Sequence, residues 1–248
     1  MVRHSGSMRY GFVVFYLLGM INLSAFELPE KSTQCVVGIS EGWDSSHVTL
    51  TYHEKTGGQW KQVGESWKGR LGSKGLVWGR GLHSNPSGAV LKKEADGRSP
   101  AGVFNLGGVW GVHDKVKKHP KTFYHRVTTR DLWVEDPHSK FYNQFLSLDR
   151  EPKTEWEKEA RMVQDDHAHS LKMFIGHNAY PNTVADGGSS IFFHIWRREG
   201  AAASAGCTTM PENKLRELIA TVDPGRRPLY VLLPREEYEK FKSTWKLP

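Results

Sequence analysis

Only 2 cysteines occur in 248 residues, too few for the disulfide framework of a small secreted scaffold. With 25 glycines and 12 prolines the chain is far from collagen-like or low-complexity composition. No internal repeat or biased tract is present, which excludes a solenoid. Nor is there an apolar run of about 20 residues, the length a bilayer-spanning helix needs. What remains is 38% hydrophobic and 25% charged, an ordinary globular balance. Single β-rich domains often run to roughly 200–250 residues, so one folded domain is expected over residues 26–248.

The one shift in composition lies at the N-terminus. Arg3 and Arg9 precede an uncharged stretch whose apolar part runs from Phe12 to Leu23, and the small residues Ser24 and Ala25 come before Glu27. That order predicts a secretory signal over residues 1–25, cut after Ala25, with a retained N-terminal anchor as the alternative. Export would carry the mature protein out of the cytoplasm with no stable membrane span, which in a bacterial cell means across the inner membrane to the periplasm or cell wall. Loss of Arg3 and Arg9 lowers the formal charge from +7 to +5, a mildly basic balance suited to an anionic surface. The basic residues are scattered. The group Lys115, Lys117, Lys118 and Lys121 reads as a solvated face rather than a nucleic-acid groove, so no nucleic-acid partner is expected. The sequence specifies no oligomeric state.

After residue 30 the pattern is mainly β. Gln34–Ile39 and Val48–Tyr52 cluster β-branched and aromatic residues, and Thr56-Gly57-Gly58-Gln59 marks a hairpin-like turn. The stretches Gly69–Gly81 and Asn85–Gly88 read as loops. Trp156–Gln164 has few breakers and predicts a helix. Pro211–Val222 predicts a firmer one, with proline in the first turn and Leu215, Leu218, Ile219 and Val222 on one face. Leu229–Leu233 reads as a further strand.

The chemistry concentrates in Ile191–Met210. His194 lies in an apolar, aromatic strand, and Cys207 follows Gly206 in a small-residue turn before the second helix. A cysteine nucleophile acts as its thiolate, so it needs an electropositive neighbour and a base for its proton, and an imidazole supplies both. Gly206 lets the backbone approach closely, and the amides of Gly206 and Cys207 are candidate oxyanion donors. The dipole of the following helix is a smaller expected aid. Taken singly, a strand histidine and a lone cysteine are more often structural than catalytic.

Their surroundings change that reading. The strand histidine followed by Ser204-Ala205-Gly206-Cys207 resembles the L,D-transpeptidase catalytic family (YkuD-type). So does Asp96-Gly97-Arg98-Ser99-Pro100-Ala101-Gly102-Val103-Phe104. A third segment, Trp133-Val134-Glu135-Asp136-Pro137 with Ser139, Tyr142 and Asn143, is similar to a stretch of one bacterial branch. The resemblance runs from about Lys93 to Leu233. It implies a mostly β (α+β) domain, sandwich- or barrel-like with a few short helices, acting in the cell envelope on peptidoglycan stem peptides. It further implies Cys207 as nucleophile, His194 as general base held by the Ile195 carbonyl, Ser204 shaping the turn, Gly206 and Cys207 as oxyanion donors, and no metal or organic cofactor. The acyl group would pass to an amine (L,D-transpeptidase) or to water (L,D-carboxypeptidase). A noncatalytic wall-binding protein with a drifted site is the remaining alternative.

Two departures bear on recognition. Many relatives carry histidine before the Gly-Cys pair and arginine two positions after the cysteine, where this chain has Ala205 and Thr209. An arginine fork holds a carboxylate, which threonine cannot do. Arg98, Arg197 and Arg198 are the candidate substitutes. Trp133, Tyr142 and Asn143 are candidate substrate contacts, with core packing as the competing role. The run Asp165-Asp166-His167-Ala168-His169 offers metal donors on one side of a strand, but no further ligands are indicated by spacing, so a solvated run is expected. A metal-dependent hydrolase on His167 and His169 is the least favoured function. Cys35 is expected to be a small buried residue.

Overall fold

The computed structural model describes residues 26–248; the expected signal over residues 1–25 lies outside them. β1 (Gln34–Ser40), β2 (His47–Thr56), β3 (Gln59–Gln62), β4 (Trp67–Arg70) and β5 (Leu76–Trp78) come first. The long β6 (Ser99–Gly111) precedes β7 (Tyr124–Arg126), β8 (Asp131–Trp133) and β9 (Phe145–Ser147). After α1 (Glu155–Glu159) come β10 (Leu171–Ile175), β11 (Phe192–Ile195) and β12 (Thr208–Met210), then α2 (Glu212–Thr221), β13 (Leu229–Pro234) and α3 (Arg235–Lys242). The fold is mostly β with short helices, as the sequence predicts.

The main sheet runs β1-β13-β6-β10-β11-β12-β4-β2, and β2 pairs back onto β1. The ring therefore closes like a barrel, which removes the open edges that sheets must otherwise protect. Strand alternation fills one side of it. Leu171, Met173 and Ile175 of β10 and Phe193 and Ile195 of β11 enter the principal core with Phe104, Tyr230 and Leu232. Leu215, Leu218 and Ile219 of α2 join the same core, which is the apolar face read from their spacing.

The opposite face of β10 and β11 carries a second, smaller cluster. Trp110, Val127, Trp133, Met162 and Phe192 form it, and Phe174 and Cys207 pack at its margin. Aromatic edges meet faces there, as between Trp110 and Trp133 at 5.3 Å and 87°, the geometry that ring quadrupoles favour.

Four local expectations need correction. Gly69–Gly81 is not all loop, since β4 ends within it and β5 pairs in parallel with β6. Its glycines are there for close approach: a Cβ on Gly72 would stand 2.4 Å from the Gly97 carbonyl oxygen. The helix expected over Trp156–Gln164 shortens to Glu155–Glu159, fixed by a capping box between Thr154 and Glu157. His167–His169 is a 3-10 turn rather than a strand. The terminal helix α3 is added; its sequence REEYEKFK is polar except for Tyr238 and Phe241, too sparse an apolar stripe to announce itself.

Candidate functional site

β11 and β12 run parallel, with Phe193 opposite Thr208 and His194 opposite Thr209. Because side chains alternate, Phe192 and His194 share the face opposite the principal core. Cys207, just before β12, turns to that face as well. Its Sγ accepts a hydrogen bond from the Phe192 amide at 3.4 Å and donates to the Ser190 carbonyl at 3.4 Å. Sulfur and imidazole thus stand on one side of two adjacent strands. No hydrogen bond joins them among the described residues; the thiol proton goes to Ser190.

His194 is 2% exposed. Its Nδ1 lies 2.8 Å from the Ile195 carbonyl oxygen, which assigns a proton to Nδ1, and the Ala168 backbone is a second, weaker partner of the ring. Burial pushes its pKa down to about 4, against the pull of the Ile195 carbonyl. The ring is therefore neutral near pH 7 and able to take a proton. His169 covers it, centroid to centroid 4.4 Å and nearly parallel at 27°.

Burial raises the Cys207 thiol above its ordinary range; the Phe192 amide and then the Lys172 ammonium oppose this. Cys35 is a different case. It is buried in the principal core, desolvation raises its thiol with no cation to oppose it, and both cysteines are free.

The three segments singled out from the sequence meet at this sulfur. Ser204 Oγ donates to the Cys207 carbonyl at 2.6 Å and accepts from the Gly206 amide at 3.1 Å. Gly206 N–H is thereby engaged, and the Cys207 amide is the donor at the turn with no acceptor among the described residues. Ser99 Oγ also donates to the Cys207 carbonyl at 3.3 Å while accepting from the Gly72 amide at 2.8 Å. A Cβ on Gly206 would stand 3.0 Å from the Arg98 carbonyl oxygen, so glycine lets the two segments touch. The third segment acts through Asn143. Its Oδ1 accepts from Trp133 Nε1 at 2.9 Å and from the Ser190 amide at 3.0 Å, while Nδ2 donates to the carbonyls of His177 and Asn178.

Trp133, Tyr142 and Asn143 are accordingly buried and satisfied within the protein; the Tyr142 hydroxyl donates to Glu94. They brace the site from behind, where substrate contact was expected. Arg98 turns its guanidinium away, to the Leu76 carbonyl at 2.9 Å and to Asp44. Arg197 pairs with Asp166 at 2.6 Å, and Arg198 is exposed. Thr209 is buried with its hydroxyl unpartnered. The helix dipole is also displaced. β12 separates Cys207 from α2, and three strand residues span about 10 Å, beyond the first turn in which that dipole acts.

The run Asp165–His169 is more structured than expected. His167 lies 2.9 Å from Glu212, Asp166 holds Arg197 and caps Ala168 at 2.9 Å, and His169 is on His194. Among the described residues no group of three or more His, Cys, Asp or Glu side chains stands close enough to hold a metal. No described helix is long and apolar enough to cross a membrane.

One cation was missed from the sequence. Lys172 is on β10, opposite His194 in the β10–β11 ladder, and is 4% exposed. A lysine inside the apolar run Leu171–Ile175 is the signal that marks it, because lysine is almost never fully buried without a partner.

Residues 64–231 match the family model described as the L,D-transpeptidase catalytic domain, YkuD. Among curated proteins there is no sequence match. Two solved structures are similar at 13% identity. One is Bd1075 of Bdellovibrio bacteriovorus, with a TM-score of 0.41 over 89% of this chain and 57% of that one. The other is the helical cell shape determining protein Pgp2 of Campylobacter jejuni as its K307A mutant, with a TM-score of 0.40 over 85% and 50%. The chain thus spans 57% of the length of the first and 50% of the second.

Proposed function

Because the chain belongs to the L,D-transpeptidase catalytic domain family, we propose that it is a cysteine acyl-transfer enzyme of the bacterial envelope, acting on peptidoglycan stem peptides. The supporting observation is the common face of Cys207 and His194 on adjacent parallel strands, with the sulfur seated on the Phe192 amide. The thiol proton passes to Nε2 of His194. The sulfur lone pair forms a C–S bond to the carbonyl carbon between an L- and a D-centre, and the carbonyl π pair moves to oxygen, where the Cys207 amide stabilises it. Collapse restores the carbonyl and breaks the C–N bond. The departing amine takes the proton from the imidazolium.

The thioester then passes its acyl group to an amine, forming a new amide, or to water, forming a free acid. Either route regenerates the thiol. Access to the thioester decides between them. Incubation with purified muropeptides reads the outcome by mass: a cross-linked dimer identifies transfer, and a shortened stem identifies L,D-carboxypeptidase action.

A carbapenem with intact-mass detection tests the nucleophile. A single adduct on Cys207 is expected in the native protein, absent in Cys207→Ala and slowed in His194→Ala. A native chain that stays unmodified and leaves muropeptides unchanged would favour a noncatalytic wall-binding protein.

A further inference from the structure

Buried lysines normally face a carboxylate, since an uncompensated ammonium out of water costs several kcal/mol. Lys92 obeys the rule, 2.6 Å from Asp96. Lys172 does not. Its Nζ makes one hydrogen bond, to the Met162 carbonyl at 3.2 Å, leaving two of three donors unused. No carboxylate lies within 4 Å among the described residues. Its second neighbour is the Phe192 ring, 5.7 Å from Nζ to the centroid, and Phe192 is the residue whose amide holds Cys207 Sγ.

Alternation on β10 turns Lys172 away from the principal core, since Leu171 and Met173 on either side enter that core. It thus shares the face of Phe192, His194 and Cys207. We propose that Lys172 is a positioning residue for charge: its ammonium is the fixed counter-ion of the Cys207 thiolate, present before the anion forms. This rests on Cys207 being the nucleophile.

The pairing accounts for an ammonium that has no carboxylate in direct contact and whose one hydrogen bond goes to a carbonyl. A resident carboxylate would neutralise it and remove its pull on the sulfur, whereas an unpaired one stabilises negative charge only when the thiol ionises. The other charges around the pair are few. Cys207 also feels Lys92, which favours the thiolate, and Glu135 at the exposed rim, which opposes it. Lys172 is supported by Cys207 and Glu135 and is pushed down to about 8 by burial. His194, His169 and Arg197 complete the set of titratable and charged groups near Lys172, from β11, the 3-10 turn and the segment after β11.

The test is the pH dependence of Cys207 alkylation by iodoacetamide in full-length protein, with Cys35 buried and unreactive as an internal control. Lys172→Met keeps the apolar stem and removes the charge. Its profile should move up by about one pH unit, about tenfold less thiolate at fixed pH, while Lys172→Arg stays near native. Coupling must also run the other way. In Cys207→Ser the Lys172 side-chain titration followed by NMR should move down, which keeps the question open to test if Lys172→Met does not fold. An unchanged alkylation profile in folded Lys172→Met, or an unmoved Lys172 titration in Cys207→Ser, overturns the inference. Alkylation reads the thiol and not acyl transfer, so a protein that alkylates as expected but forms no carbapenem adduct counts against the proposed function alone.

Discussion

The His169 ring lies against the His194 ring at 4.4 Å, so the proposed base is shielded from water by a second imidazole from a neighbouring turn. Desolvation is the main reason His194 stays neutral down to a pKa of about 4. His169→Ala uncovers the ring and is expected to raise the His194 pKa toward its ordinary value of about 6.5. The acid limb of carbapenem acylation should then move to higher pH. His169→Phe, which keeps a flat cover, should leave the limb near its native position. Histidine NMR titrations check both variants, and equal His194 pKa values in native protein and His169→Ala would contradict the shielding.

Acid should destabilise the fold before its carboxylates are protonated. His83 and His194 are pushed down to about 4 and His177 to about 3, each chiefly by burial. Between their unfolded value of about 6.5 and these folded values, the unfolded chain binds more protons, so stability rises with pH across that window. The expected result is a melting temperature that falls steadily from pH 6.5 to about 4. A flat melting temperature over that range would mean that these rings are solvated.

Asn143 ties Trp133, Ser190, His177 and Asn178 together from one buried amide. Asn143→Ala leaves several polar groups without partners and should cost about 2–4 kcal/mol, as buried unsatisfied groups do. Its effect on the site should arrive through Ser190, whose carbonyl receives the thiol proton. Chemical denaturation should show the loss, and the concentration dependence of acylation should change in rate rather than in apparent affinity. A pure affinity change would instead put Asn143 in contact with substrate.

Ser204 serves the Gly206 amide and the Cys207 carbonyl with one hydroxyl. Ser204→Ala should cost about 1–2 kcal/mol of stability and slow acylation about tenfold by loosening the turn that aims the sulfur. Ser204→Thr retains the hydroxyl and should recover most of the rate. Equal rates for native protein and Ser204→Ala would show that the Ser99 bond alone holds the turn.

The sequence announced the parts of the fold whose local pattern and packing agree. β1, β2, the hairpin turn after it, β13 and the apolar face of α2 follow from periodicity and turn residues. β5 and the end of β4 escaped because each owes its conformation to pairing with distant strands, and its glycines serve close contacts that composition reads as loop. At the site, Ser204, Gly206 and Cys207 form one hydrogen-bonded turn, and His194 stands on the strand beside it. Trp133 and Asn143 were visible as a motif, yet only the hydrogen bonds show that they brace Ser190. Lys172 and His169 reach the site through neighbours remote in sequence; the lysine inside an apolar run was legible as buried, but which residues it faces was not.

The parallel pairing of β11 and β12 has a corollary. Two neighbouring strands pointing the same way require a return passage, here residues 196–207, tethered near its end where the Ser204 amide reaches the Leu71 carbonyl at 2.9 Å. The ladder sets the lateral spacing of imidazole and sulfur, while the passage between them is half-exposed or exposed over most of its course. Length changes in its exposed first part, residues 197–203, would leave the turn Ser204–Cys207 anchored by its own hydrogen bonds. That part of the chain can therefore change what borders the sulfur without moving the strand that carries His194.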